Sequence, residues 1–369
     1  MIIYWSMIAV IAIFAILGQL EYKVKGIRNQ YGMPYASFSI LIPILYIVFW
    51  TGIRNRFVDT AAYIATYKSI PTGNLETIKL YMASIEEDYG FYLLTALFKN
   101  YISTNYHWWL FTIALISGLC LYRVIRRHAE HPHFALYLFM TTCTFSWLMN
   151  GIRQFIVICI LFAFSDWMLD KKKRKWYFVL ILVVSTIHMS ALYALPFIIV
   201  VSISRAWDKK MLMFIASILF VMLFSEKIMP GLINSFADDY ATTYATNEGS
   251  SWIRTLVAIV PVGLTFIKRK EIQKFNNPYM EMCVNMSIVS ACIYGLASVS
   301  DGILVGRMPM FFQVYNLILL PWVLSKCYKG STRKFLIAAC VVCYLLFFIY
   351  QTHFVGGYYY SSDITGFIP

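Results

Sequence analysis

The chain has 369 residues, of which 60% are hydrophobic and 13% charged, with a formal net charge of +13. A soluble globular domain carries about a quarter charged residues, so the composition excludes one. The positive charge is broken into short clusters between apolar runs and shows no RNP, helix-turn-helix or zinc-finger spacing, so nucleic acid is not an expected partner.

Apolar runs with little or no charge recur at 2–20, 37–53, 106–122, 133–149, 151–169, 176–188, 189–204, 211–229, 252–267, 279–297, 309–325 and 334–350. At about 1.5 Å per residue, some twenty residues cross the ~30 Å hydrocarbon layer. The expected fold class is therefore all-α: a polytopic membrane helical bundle of about 11–13 transmembrane helices, forming a single integral membrane domain over residues 1–369. Residues 2–20 have no basic start and no small-residue cleavage site, and read as a retained span instead of a signal peptide. Residues 74–104 contain an apolar piece too short to cross comfortably, which predicts an interfacial amphipathic helix on the outer face. The runs 176–188 and 189–204 are each short and meet at the polar break "STIHMSALYAL", so they read as two thin crossings or as a hairpin bending near the outer face.

Most of the 31 lysines and arginines fall in six short loops, around residues 23–28, 123–127, 171–175, 205–210, 268–274 and 326–334. Cytoplasmic loops concentrate these residues, so both termini are expected outside, together with the loops 54–105 and 230–251 and a tail at 351–369. The cysteines mostly lie within apolar runs and read as small packing residues, including the CxxC of Cys340 and Cys343. His128, His131 and His133 ("RRHAEHPH") imitate a metal cluster, but Pro132 interrupts helical spacing, and a plain connection is expected.

Among the basic residues left on the predicted outer side, Arg54, Arg56, Arg153, Arg254 and Arg307 all lie near span ends. A guanidinium fork binds phosphate oxygens bidentately and is weakly hydrated, so such a set suits a lipid diphosphate. The plainer alternative is snorkelling to lipid headgroups, which explains Arg254 at least as well, whereas the surroundings of Arg153 and Arg307 favour a functional role. Arg153 opens a new helix after the breakers Asn150 and Gly151, where free N–H groups already favour an anion. His188 sits at the break between two short helices; an ionisable group at membrane depth is a functional candidate, and a neutral imidazole accepts a proton from a sugar hydroxyl. Asp59 reads as a partner of Arg56, as the N-cap of a helix starting near Thr60, or as a general base. The acidic set Glu86, Glu87 and Asp88, and the pair Asp238 and Asp239, read mainly as solvated loops, with Asp238 and Asp239 also candidates for sugar contact. Tyrosines and a tryptophan in "DDYATTYATNEGSSW" and "GGYYYSSD" are candidates for stacking on sugars, or simply interfacial aromatics.

Four stretches, "GIRNRFVDTAAY", "NGIRQF", "IHMSAL" and "GRMPMFFQVYNLILLP", resemble in order and spacing the EpsG family of bacterial exopolysaccharide proteins, a branch of the Wzy-type polymerases. Gly52, Arg54, Asp59 and Tyr63 match its first motif, Asn150 to Gln154 its second, His188, Ser190 and Ala191 its third, and Arg307 its late arginine. The family often has glycine before the acidic residue, where this chain has Val58. The resemblance implies a GT-C-like glycosyltransferase with no cofactor and no metal, acting at the outer leaflet of the bacterial cytoplasmic membrane. Its expected partners are membrane lipid and undecaprenyl-diphosphate-linked oligosaccharides as donor and acceptor, with a chain-length regulator and a flippase nearby. It also implies diphosphate contacts from Arg54, Arg56, Arg153 and Arg307, catalytic roles for His188, Asp59 and Arg153, and sugar contacts from Tyr63, Asn150 and Gln154. A transporter or flippase of lipid-linked oligosaccharide, or an O-antigen ligase-like enzyme, remains the alternative.

Overall fold

The computed structural model describes residues 2–24, 37–224, 251–300 and 305–367. Seventeen α-helices run through them, and no β-strand forms among the described residues beyond two isolated bridges, Arg56–Ser361 and Ser362–Phe367. The chain is an all-α polytopic membrane protein. Four helices are long and apolar enough to cross a bilayer: Ile2–Glu21, Tyr106–His128, Pro278–Ser298 and Gly330–Val355. A fifth span forms if the pair Val305–Gln313 and Asn316–Lys326, bent by 49°, counts as one. Phe38–Gly52, Ile152–Ala163 and Trp252–Ile267 are shorter apolar helices.

Several apolar runs are thus longer than the helices they form. The run 133–149 becomes a ten-residue helix, Pro132–Thr141, then a left-handed residue, Cys143 at φ 58°, and a 3-10 turn over Thr144–Leu148. Such breaks survive in lipid only where protein or a cavity satisfies the freed backbone.

The chain divides into two compact units. The first comprises 1–167, 172–193 and 334–369. It holds α1 (Ile2–Val24), α2 (Phe38–Gly52), α3 (Thr60–Ser69), α4 (Leu75–Met82), α5 (Tyr89–Tyr101), α6 (Tyr106–His128), α7 (Pro132–Thr141), α8 (Ile152–Ala163) and α9 (Arg174–Ser185). The start of α10 (Ser190–Ile203) also belongs to it. In this unit α6 packs on both α2 and α8. The buried face of α2 is Ile40, Ile44, Ile47, Val48 and Thr51, and that of α6 runs through Leu110, Ala114, Ser117, Gly118 and Leu121. This is the spacing of one helical stripe. In lipid, apolar burial does not drive helices together, so the small residues Ala114, Ser117 and Gly118 allow the close contact that does.

The second unit, 168–171 and 194–333, contains α11 (Lys209–Leu223), α12 (Trp252–Ile267), α13 (Arg269–Lys274), α14 (Pro278–Ser298), α15 (Met310–Gln313) and α16 (Asn316–Lys326). Helix α14 is its centre, buried on nearly every side and flanked by α11, α12, α15 and α16. Its buried Asn285 donates through Nδ2 to the Ser204 carbonyl at 2.8 Å, and Glu281 accepts the Ala206 N–H at 3.2 Å.

The ambiguous segment 74–104 forms two helices, of 8 and 13 residues. At about 1.5 Å per residue neither reaches across the hydrocarbon layer. Their Ile78, Met82 and Ala96 form a small core with Ile70, the residue that closes α3. Buried Lys99 donates through Nζ to the carbonyls of Tyr67, Lys68 and Ile70, supplying the terminal carbonyls of α3 with the donors they lack.

Helix α17 (Gly330–Ile349) ends in a π-helical turn over Tyr350–Val355, and the tail then folds back across residues 50–56. The Ser361 carbonyl accepts the Asn55 N–H at 3.0 Å, and the Tyr360 hydroxyl donates to the Trp50 carbonyl at 2.7 Å. Asp363 accepts the Tyr106 hydroxyl at 2.9 Å and pairs with His107 at 3.0 Å. Partial burial opposes ionisation of Asp363, but hydrogen bonds from Tyr106 and His107 outweigh it and hold the carboxyl below the usual range. Within "GGYYYSSD", therefore, Tyr360 is a buried strut, and Tyr359 is the ring left exposed, 5.9 Å from Arg56.

Val58 lies at φ 39°, in the left-handed region that a β-branched side chain adopts only under strain. The side chain is half exposed, so glycine there sacrifices little packing. Relief of about 1–2 kcal/mol exceeds the extra chain entropy of glycine, and Val58→Gly is expected to stabilise the protein by roughly 0.5–1 kcal/mol. A rise in the thermal midpoint in detergent checks this; an unchanged or lower midpoint refutes it.

Candidate functional site

The break between α9 and α10 leaves the first N–H groups of α10 without helical partners. The turn before α5 supplies an acceptor to the N–H just ahead of them, that of Met189. Asp88 stands at the N-cap position of α5 with φ 51°, and its carboxylate makes no bond to its own helix. It reaches instead across a hundred residues of sequence. Oδ1 accepts the Met189 N–H at 3.3 Å, and the two oxygens lie 3.2 and 3.0 Å from His188 Nδ1. Arg153 donates from Nη1 to Oδ2 at 2.8 Å.

A buried carboxylate costs several kcal/mol unless it is paired and hydrogen-bonded. Here three donors converge on one with 5% of its side chain exposed. Because the carboxylate accepts, Nδ1 of His188 carries hydrogen, and in the neutral ring the lone pair resides on Nε2. His188 and Arg153 keep 27% and 33% of their side chains exposed, so the cluster is buried at its carboxylate and open at the imidazole and the guanidinium.

Two glycines permit this arrangement. Gly151, at φ 67°, turns the chain into α8 two residues before Arg153. Gly90 donates its N–H to the Thr186 carbonyl at 2.7 Å, and a Cβ there would stand 2.9 Å from Thr186 Cβ and 3.0 Å from its carbonyl carbon. Gly90→Ala is expected to push α5 away from the break, at a cost of about 1–3 kcal/mol, and to lower activity by about tenfold or more through Asp88. Adding Thr186→Gly is expected to restore part of both; a double variant no better than the single refutes the contact as the cause.

The other expected site residues divide sharply. Arg54 is fully buried. It donates from Nε to Thr60 Oγ1 at 3.0 Å, from Nη2 to the Met149 carbonyl at 3.1 Å, and from Nη1 to the Thr51 carbonyl. Burial pushes its guanidinium down to about 10, which still leaves it charged at neutral pH. Three of its five N–H donors are thus directed at the protein itself, an arrangement that suits a positioning role. Arg56, two residues on, is exposed and joins Ser361 through its backbone. Asp59 takes the N-cap position of α3 as expected, but it is exposed and its carboxylate makes no cap hydrogen bond. Tyr63 is half-buried and within electrostatic reach of Arg54.

Asn150 has a buried Oδ1 that accepts no hydrogen bond, and Gln154 is buried on the first turn of α8. Arg307 is exposed in a 3-10 turn of the second unit, Val305–Arg307. Asp238 and Asp239 lie outside the described residues. His128 lies in the last turn of α6, and His133 bonds through Nε2 to the Ser39 carbonyl of α2 at 3.2 Å.

Three of the four sequence motifs meet in the first unit. Arg54 ties the first to the residue preceding Asn150, and Asp88 ties Arg153 of the second to His188 of the third. Asp88 itself was expected to be a solvated loop residue. Neighbouring Glu86 and Glu87 disguise it, and its only local signal is its place immediately before an apolar helix, in "EEDYGF".

Fold and cluster together define a polytopic membrane protein with a carboxylate-bridged arginine–histidine pair at a helix break. The EpsG family model matches residues 39–363, nearly the whole chain, and the chain belongs to that family. Membership points to a polysaccharide polymerase-like function with lipid-linked glycan substrates. No curated protein and no solved structure matches the chain.

Proposed function

We propose that the protein is a glycosyltransferase that lengthens a polysaccharide at the outer face of the bacterial cytoplasmic membrane. It transfers a growing glycan from undecaprenyl diphosphate to the non-reducing end of another lipid-linked repeat unit. The observation that carries this reading is the Arg153–Asp88–His188 cluster. His188 Nε2 takes the proton of the acceptor hydroxyl, while Asp88 holds the ring by Nδ1 and stabilises the imidazolium that forms. The acceptor oxygen forms a bond to the anomeric carbon in a single displacement. The bond from that carbon to the diphosphate breaks, and its electron pair leaves with the diphosphate. Negative charge grows on that group as it departs, and Arg153 stabilises it more in the transition state than in the ground state.

In this reading Arg56 and Arg307 remain candidates for contact with the diphosphate or its membrane surroundings, Asn150 and Gln154 for the sugars, and Asp59 is the second candidate for the base. Arg54 is assigned a positioning role. Purified protein supplied with a lipid-linked repeat unit is expected to produce a ladder of longer lipid-linked products, whereas a transporter gives no longer product. Arg153→Ala is expected to lower elongation by about 10²–10³-fold with protein still in the membrane. Elongation at the wild-type rate in that variant removes the diphosphate role.

A further inference from the structure

Beside the cluster, between α5 and α6, lies a groove of about 340 Å³. Phe91, Leu94, Phe98, Ile113, Ile156 and Ile187 are among its lining residues, and hardly a polar group faces it. Its volume falls at the lower end of the range of ligand pockets, about 300–1,000 Å³. It adjoins the charged cluster through one ring contact and two chain connections. Arg153 lies 5.9 Å over the ring of Phe91, Ile156 follows Arg153 by one helical turn, and Ile187 precedes His188. Of its lining residues, Leu94, Tyr101, Ile102 and Ile116 are exposed, on helices of a protein that lives in lipid.

A guanidinium against the ring of a lining phenylalanine, beside an apolar and partly aromatic trough, is complementary to an amphiphile with an anionic head and an unsaturated hydrocarbon tail. We infer that this groove holds the first isoprene units of the polyprenyl diphosphate whose head meets Arg153. The assignment rests on the proposed function for its choice of ligand, though not for the existence of the groove. A tail held here fixes the diphosphate against Arg153 before the glycan is engaged, so affinity for the carrier resides in its lipid and not only in its phosphates.

The test uses the full-length protein in nanodiscs and a polyprenyl diphosphate bearing a diazirine on its first isoprene units. The photoadduct is expected on residues 91–116, displaced by undecaprenyl diphosphate and not by phosphatidylglycerol. Ile116→Trp, which fills the trough, is expected to reduce labelling about tenfold, the equivalent of ~1.4 kcal/mol of affinity. Ile116→Ala, which leaves the trough open, stays within about twofold and shows that the site tolerates substitution. Equal displacement by phosphatidylglycerol marks ordinary bilayer lipid and overturns the proposal, as does an adduct elsewhere that Ile116→Trp leaves unchanged. Labelling as expected without elongation of any lipid-linked unit retains the groove and removes the polymerase reading. Elongation with labelling outside the groove does the reverse.

Discussion

Asp88→Asn is expected to cut elongation of a lipid-linked glycan severely while the protein remains in the membrane. Asparagine keeps the size of the side chain but offers one neutral oxygen where the carboxylate accepts Arg153, His188 and the Met189 N–H together. The amide's N–H₂ group cannot accept from a donor, so either Arg153 or His188 loses its acceptor; where the N–H₂ faces the imidazole it donates to Nδ1, which places the ring hydrogen on Nε2 and removes the base. General-base assistance is worth about 10²–10⁴-fold, and a loss in that range is expected in the rate of elongation, read from the product ladder of purified protein. His188→Ala is expected to cost about as much, and the double variant no more than either alone, because residues acting as one unit are not additive. Additive losses, or a near wild-type rate in Asp88→Asn, would show that the cluster is a structural tie.

Arg54→Met carries the largest expected loss of stability. Methionine fills part of the volume but leaves the carbonyls of Thr51 and Met149 and the Thr60 hydroxyl without their donor. Buried polar groups left unpaired cost about 1–3 kcal/mol each, and breaking a buried charged network typically costs about 3–5 kcal/mol in total. The thermal midpoint in detergent is expected to fall steeply. Arg54→Lys retains the charge but not the fork, so it recovers only part of the loss. Were Arg54 a diphosphate ligand instead, lysine would preserve stability and lower turnover. That pattern refutes the positioning role.

Arg54 and Arg56 show where a reading from sequence stops. Both follow the same apolar run, both are guanidinium groups at a span end, and composition treats them alike. One is fully buried in three protein contacts and the other is exposed. The difference depends on Thr60 and on Met149, ninety-five residues away in the chain. Val58 was a partial exception. Its place where the family often has glycine drew attention to the loop, and the backbone there does take a conformation suited to glycine. The helix break at His188 and the new helix at Arg153 were also legible, because Gly151 and a polar interruption in an apolar run act locally.

What the order of residues determined alone was membrane residence, helical class, family and two of the three members of the cluster. Hydropathy, helix breakers and short motifs are local properties, and their energies are set within a few residues. Asp88, the partition of the arginines and the groove between α5 and α6 were decided only by tertiary structure. A carboxylate's role depends on which donors surround it once water is excluded, and those donors arrive from helices that the chain brings together from far apart.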